Sequence, residues 1–307
     1  MSLRTFLPRP AKRLAHAGSV TLGRWTASRR IMPSFLIVGG QRCGTTSLYR
    51  ALAAHPAVLK AVLHKGVHWF DVNHERGIDW YRGHFPLHST ARRIADRTGT
   101  PAQAFESSPY YMYHPLAPQR IAATLPDVRL IVLIRDPVER AYSQYVHELA
   151  RGYETERDFA VALALERRRL AGEEQRLRDI PGYYSHSHQH HAYVERGRYV
   201  EHLRRLAAIF GRGRIHVVES EAFFAEPEPV YDSILAFLGL PDFGYPRFDR
   251  HNARPRSPMP EAVRDRLTRH FAPYNDMLAS WLGFRPTFAD PGGRATGRGT
   301  PLAPPGR

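Results

Sequence analysis

Four consecutive apolar residues, Phe35-Leu36-Ile37-Val38, run into Gly39-Gly40. That pattern predicts a strand buried on both faces that feeds a tight turn. A helix is expected next, capped by Thr46 or Ser47, with Leu48, Ala51 and Leu52 on its apolar face and His55-Pro56 at its end. A second continuous run, Arg129 to Ile134, reads as a buried strand, and Asp136-Pro137 after it opens a helix reaching about Leu149. Between them, Ala104-Phe105-Glu106 is a candidate short strand, and Leu116 to Leu125 a helix stopped by Pro126. Further on, a helix from about Gly197 to Phe210, a strand from Arg214 to Val218, and helices from about Pro229 to Leu238 and Pro260 to Trp281 are expected. Strands that each lead into a helix imply an α/β fold, a central parallel sheet with helices on both faces.

Composition sharpens this picture at the ends. The 307 residues carry a formal net charge of +15, of which residues 1 to 33 hold +7 without a single acid and the stretch after Phe288 holds +2. The first is expected to be a disordered basic arm and the second a disordered tail, leaving one domain over residues 34 to 287 with a modestly basic body. Such a balance suits an anionic small molecule, an anionic lipid surface or nucleic acid, and alone does not choose among them. Arginine fills all but three cationic positions, Lys12, Lys60 and Lys65, which draws attention to the last two. One cysteine, Cys43, leaves no intramolecular disulfide and points to a reducing compartment. No stretch is long and apolar enough for a bilayer span or a secretory signal, so a cytoplasmic location is expected, with peripheral membrane attachment through the arm as the alternative.

The chemistry concentrates in two places. Gly39-Gly40-Gln41-Arg42-Cys43-Gly44-Thr45-Thr46 has the glycine spacing of a phosphate-binding loop between strand and helix, yet Thr45 stands where a triphosphate-binding loop has lysine. An anion could still be held by the N–H groups of residues 44 to 47 and the hydroxyls of Thr45, Thr46 and Ser47, without magnesium. Helix capping alone would also explain the threonines. The second place is Arg135 through Ser143. Arg135 leaves the strand end where ligands of open α/β sheets bind, and its guanidinium can grip a second phosphate in bidentate fashion. Asp136 is placed to cap the helix that follows.

Together, Gln41-Arg42-Cys43-Gly44-Thr45-Thr46-Ser47-Leu48-Tyr49 and Arg135-Asp136-Pro137 through Ser143 resemble the two motifs by which sulfotransferases bind 3′-phosphoadenosine 5′-phosphosulfate (PAPS). The likeness is greatest to the Golgi heparan-sulfate branch and its bacterial relatives. It extends through Glu106-Ser107-Ser108-Pro109-Tyr110-Tyr111, Gly197-Arg198-Tyr199 and Phe237-Leu238-Gly239-Leu240 to His251-Asn252. The resemblance implies a three-layer P-loop-like fold and PAPS as co-substrate, with no metal. Arg42, Cys43, Gly44, Thr45, Thr46 and Ser47 would hold the 5′-phosphosulfate. Arg135 and Ser143 would hold the 3′-phosphate, with Tyr199 and Arg254 as further cofactor contacts. The acceptor implied is a carbohydrate, glycolipid or small hydroxyl or amine compound.

The catalytic set departs from the family. Arg42 aligns with the lysine that contacts the leaving group, and a guanidinium there is electrostatic only. Lys65-Gly66-Val67-His68-Trp69-Phe70-Asp71 resembles a Lys-Glu-x-His-Phe-Phe segment whose glutamate is the usual base, but this chain has Gly66. His68 is the replacement candidate, since its ordinary pKa of about 6.5 suits proton removal near neutrality and cytosolic sulfotransferases use a histidine in this way. Asp71 would orient it, Glu106 would be the reserve base, and Lys65 could restore an ammonium near the sulfuryl group. On residues alone, a packed structural histidine remains open. His186, His188, His190 and His191 raise a metal reading, but with no cysteine or carboxylate nearby in sequence a solvated loop or acceptor lid is expected. Trp69, Trp80, Tyr81, Tyr110 and Tyr111 could stack on an acceptor or fill the core. The rival readings are a P-loop kinase, which Thr45 and the lack of a magnesium carboxylate oppose, and a basic protein binding nucleic acid or membrane, for which the pI of about 10.3 speaks.

Overall fold

The computed structural model describes residues 19–249 and 257–289. Five strands make up one sheet: β1 (Phe35–Gly39), β2 (Val58–Lys60), β3 (Gln103–Ser107), β4 (Arg129–Ile134) and β5 (Ile215–Glu219). Their spatial order is β2-β3-β1-β4-β5 and every pairing is parallel. The helices are α1 (Thr45–Ala53), α2 (Ile78–Arg82), α3 (His88–Thr98), α4 (Ala117–Thr124), α5 (Pro137–Arg151), α6 (Phe159–Leu170), α7 (Glu173–Asp179), α8 (His186–His190), α9 (Tyr199–Phe210), α10 (Ser220–Ala225), α11 (Pro227–Leu238) and α12 (Glu261–Leu282).

The uninterrupted apolar runs make the central strands, for a reason of solvation. A strand covered on both faces needs no alternation, and Phe35 to Gly39 are all buried, as are Leu130 to Ile134. Phe35 and Phe105 stack across β1 and β3 with ring centroids 4.8 Å apart. The main core gathers the strands with Leu48 and Leu52 of α1, Ile121 of α4, Leu203 and Leu206 of α9 and Ile234 and Leu238 of α11. A second cluster joins α5, α6 and α12 through Tyr142, Tyr145, Phe159 and Phe271.

The chain steps from β1 outward to β2 and back to β3, then crosses to β4 on the other side of β1. The direction of winding therefore reverses between β1 and β4. A crevice opens at the carboxyl ends of strands where this happens, and here it is flanked by the loop after β1 and by Arg135 after β4.

Two expectations change. The first helix starts at Thr45 with Gly44 as its N-cap in the left-handed region (φ 84°), where glycine carries no steric penalty. Thr46 and Ser47 lie within the first turn and do not cap it. The basic arm is also ordered in part: residues 19–25 are helical, Ala27 is buried, and Arg30 donates to the Phe85 carbonyl at 2.6 Å. Residues 1–18, the loop with Arg254, and the tail from 290 onward lie outside the described residues.

Candidate active site

The loop after β1 is pinned against β4, since Gly40 N–H donates to the Leu133 carbonyl at 2.7 Å. It then climbs to Arg42, whose backbone is left-handed (φ 68°). Holding a non-glycine residue in this region costs roughly 1–3 kcal/mol, and such strain gathers at functional sites. The Arg42 carbonyl accepts from Arg135 Nη1 at 3.3 Å. Its guanidinium reaches α5, with Nε donating to Ser143 Oγ at 3.1 Å and Nη1 lying 3.4 Å from His147 Nδ1. Arg42 thus sits with Ser143 of the second motif, and not over the Thr45–Thr46 hydroxyls where the alignment with the leaving-group lysine would put it.

Lys65 fills that position. Its Nζ donates to Thr45 Oγ1 and Thr46 Oγ1, both at 3.1 Å, directly at the N-terminus of α1. The segment carrying it is laid along the end of β3: Ser107 N–H donates to the Lys65 carbonyl at 2.9 Å, Val67 N–H to Glu106 Oε2 at 2.9 Å and His68 N–H to Ser108 Oγ at 3.1 Å. Since β3 pairs with β1, this brings the ammonium beside the helix that leaves β1. Burial pushes Lys65 down to about 7, because a desolvated ammonium has lost its water without gaining a carboxylate.

His68 is also left-handed (φ 55°), held there by its bond to Ser108 and by the Asn73 amides on its carbonyl. Its Nδ1 meets Asp71 Oδ2 at 2.7 Å, and its side chain remains 35% exposed while that of Asp71 is fully covered. Burial pulls the imidazole pKa down, but the charge and hydrogen bond of Asp71 outweigh it and leave His68 raised. Nδ1–H donates to the Asp71 carboxylate, so neutral His68 has its acceptor lone pair on Nε2.

Gly66 explains itself in this geometry. A Cβ at 66 would lie 2.5 Å from the Ser107 carbonyl oxygen and 2.8 Å from Ser108 Oγ, so the backbone admits no side chain. The same Cβ would be 3.3 Å from His68 Nε2. The open nitrogen of His68 therefore stands where a side chain at 66 would begin.

Glu106, the reserve base, is committed elsewhere. It is fully buried, accepting from Val67 N–H and, at 2.6 Å, Ser108 Oγ on one oxygen, and on the other from Tyr111 at 2.7 Å and Tyr81 at 3.4 Å. Burial raises its pKa against those bonds. It anchors the 65–68 segment and is closed to solvent.

Around this centre the remaining candidates divide. Arg135 lies at the crevice with its Nε 4.0 Å from Glu221, and Asp136 caps α5 through Val138 N–H at 2.9 Å as expected. Cys43 is buried, its thiol pushed up to about 11 by burial. Tyr199 is buried under the loop with its hydroxyl 3.5 Å from Cys43 Sγ, which makes it a support of the loop from below. The histidine run forms α8 and its flank, with His188, His190 and His191 buried, so the solvated-loop reading is overturned. Folding supplies partners invisible in sequence: Glu148 to His190 Nδ1 at 2.9 Å and Tyr110 to His188 at 2.7 Å. Among the described residues no cluster of metal-ligating side chains forms. Trp69, Trp80, Tyr81, Tyr110 and Tyr111 are buried in the core and not displayed for stacking. Sequence reading missed Gln41 Nε2, which donates to Glu148 at 3.4 Å and links the loop to α5; nothing in the local sequence signals that pair.

A family model described as the sulfotransferase domain matches residues 32–247, most of the chain. The chain belongs to the sulfotransferase-domain family. A solved sulfotransferase from Alicyclobacillus acidocaldarius superposes with a TM-score of 0.58 at 28% identity, covering 83% of this chain and 97% of that one. The human bifunctional heparan sulfate N-deacetylase/N-sulfotransferase 2 is 31% identical over 69% of this chain, and human N-deacetylase/N-sulfotransferase 3 is 29% identical over 72%. This sulfotransferase chain spans only 22% and 24% of those two relatives' lengths. The α/β fold and the family expected from the sequence both hold.

Proposed function

We propose that this sulfotransferase moves a sulfuryl group from PAPS to a hydroxyl or amine, with a carbohydrate as the leading acceptor class. The carrying observation is the convergence at the N-terminus of α1, where Lys65 Nζ is 3.1 Å from the Thr45 and Thr46 hydroxyls and the His68–Asp71 pair lies three residues along the same segment. Hydroxyls, helix N–H groups and one ammonium form a donor set suited to a phosphosulfate, and Ser107 Oγ at the end of β3 is buried with no partner among the described residues. PAPS, when bound, supplies the activated sulfuryl group.

The chain's own residues account for the rest. Lys65 lies where charge develops on the departing phosphate oxygen, and a cation there stabilises the transition state more than the ground state. His68 Nε2 takes the acceptor's proton while Asp71 holds the ring and stabilises the imidazolium. Arg42, tied to Ser143, and Arg135 form the cationic side of the crevice for the second phosphate. The heparan sulfate named in the relatives supports the carbohydrate class.

The test is transfer of label from sulfur-35 PAPS to a glycan panel in the presence of a chelator. Labelled product without added magnesium, together with a melting temperature raised by the desulfated nucleotide and not raised in Arg135→Ala, supports the proposal. Absence of both nucleotide stabilisation and labelled product at millimolar nucleotide would defeat it.

A further inference from the structure

Residues 1 to 33 carry seven cationic side chains and no carboxylate. Part of this stretch is fastened to the body as a short platform. Residues 19–25 are helical, Gly23 packs so tightly on Gly83 that a Cβ would be 2.6 Å from its carbonyl oxygen, and Arg30 bridges to Leu87 and donates to Phe85. What the platform holds outward is apolar. Leu22 is 61% exposed and Trp25 is 85% exposed. Three positions apart on a helix, they share a face. Arg24 and Arg29 beside them are exposed as well.

The anchored backbone turns both away from the core. An exposed tryptophan and leucine flanked by arginines is the composition of an element lying in the interfacial layer of a membrane, where an indole sits at headgroup depth and guanidinium groups meet lipid phosphates. No helix among the described residues is long and apolar enough to cross a bilayer. We propose that the Leu22–Trp25 face, with Arg24 and Arg29, docks this protein on an anionic lipid surface. Charge complementarity selects the occupant: Arg24 and Arg29 flank the apolar face, so a second copy would bring the same cations against themselves, and a neutral surface would leave them without a counterpart. The inference does not depend on the identity of the sulfuryl donor or acceptor.

The experiment uses the full chain with vesicles of phosphatidylcholine alone or with about a third phosphatidylserine, a range in which surface charge governs binding of basic segments. Trp69 and Trp80 are buried and Trp281 is stacked by Arg212, so emission at long wavelength reports Trp25. The expected result is cosedimentation and a blue shift with the anionic vesicles, reversed by raised salt. Trp25→Ser should weaken partition about tenfold or more, with the lipid-free melting temperature unchanged as the control for folding. Arg24→Ser with Arg29→Ser should reduce the salt sensitivity. Equal binding to neutral vesicles, unaltered binding by Trp25→Ser, or a blue shift that follows protein concentration without lipid would each overturn the proposal, the last by assigning the face to a second copy.

Discussion

Arg42 Nε donates to the Ser143 hydroxyl at 3.1 Å, joining the loop after β1 to the helix after β4. The two residues come from separate segments, 101 positions apart, and in the proposed site they serve one side of the crevice. Removing either should weaken nucleotide binding, and because they share a bond their effects should not add. Arg42→Ala is expected to lower affinity for 3′-phosphoadenosine 5′-phosphate about tenfold to a hundredfold, the scale of one charge-assisted hydrogen bond. A double-mutant cycle with Ser143→Ala, read by titration calorimetry, should show coupling; strict additivity would remove the shared role.

Lys65 carries a different expectation, because its position at the α1 N-terminus matters where charge develops on the leaving oxygen. Lys65→Met should reduce kcat by about a hundredfold to a thousandfold, as loss of one preorganised electrostatic group does. Nucleotide-induced stabilisation should persist. Lys65→Arg should restore part of the rate, since charge returns without the compact geometry. If Arg42→Ala instead produced the larger fall in kcat, the leaving-group contact would belong to the loop.

The sheet and the first loop were legible because their signals are local. Continuous apolar runs predict buried parallel strands, and β4 emerged over Arg129 to Ile134 as expected. The alternation of strand and helix then dictated the layers. The site was legible only where a motif is contiguous. Lys65 and Thr45 meet because β3 pairs with β1, a long-range consequence of topology that no sequence window contains. The histidine run misled for the same reason: the carboxylate that partners His190 is Glu148, 42 positions away. Solvation was misjudged when the partners were unseen.

His68→Ala should leave nucleotide binding intact and lower kcat by about a hundredfold to ten thousandfold, the range for loss of a positioned general base. Single-turnover transfer with a saturating donor measures this step apart from product release. Unchanged turnover would return His68 to a packing role on the Tyr111 ring, 6.2 Å from its own.

The pH profile follows from the same pair of groups. His68 must be neutral to accept a proton, and although burial lowers its pKa, Asp71 raises it more, so activity should climb with pH through a midpoint above 6.5. Lys65 must be charged, and burial holds it at about 7, so kcat/KM, which reports free enzyme, should fall again just above neutrality. In the proposed site a bound nucleotide would be an anion beside the ammonium and would favour its charged form. The alkaline limb of kcat should therefore lie at higher pH than that of kcat/KM. Asp71→Asn removes the carboxylate that raises His68, so the acid limb should move to lower pH while the alkaline limb stays. Coincident alkaline limbs in kcat and kcat/KM would argue that Lys65 does not meet the nucleotide.

Gly66→Glu restores the residue type expected of the family at this position and should fail to restore its chemistry. The new Cβ would meet the Ser107 carbonyl at 2.5 Å and crowd His68 Nε2 at 3.3 Å, so the 65–68 segment must shift off the end of β3. Overpacking of this kind costs about 1–3 kcal/mol, and the hydrogen bonds of Val67 to Glu106 and His68 to Ser108 are those first disturbed. Urea unfolding should register the loss as a lower midpoint at constant slope, with transfer activity falling in parallel. Gly66→Ala should show the same stability loss, because the clash lies at Cβ and not in the carboxylate. A Gly66→Glu protein that is both as stable as the parent and more active would mean that the segment has a second backbone arrangement, one in which position 66 and not His68 faces the acceptor.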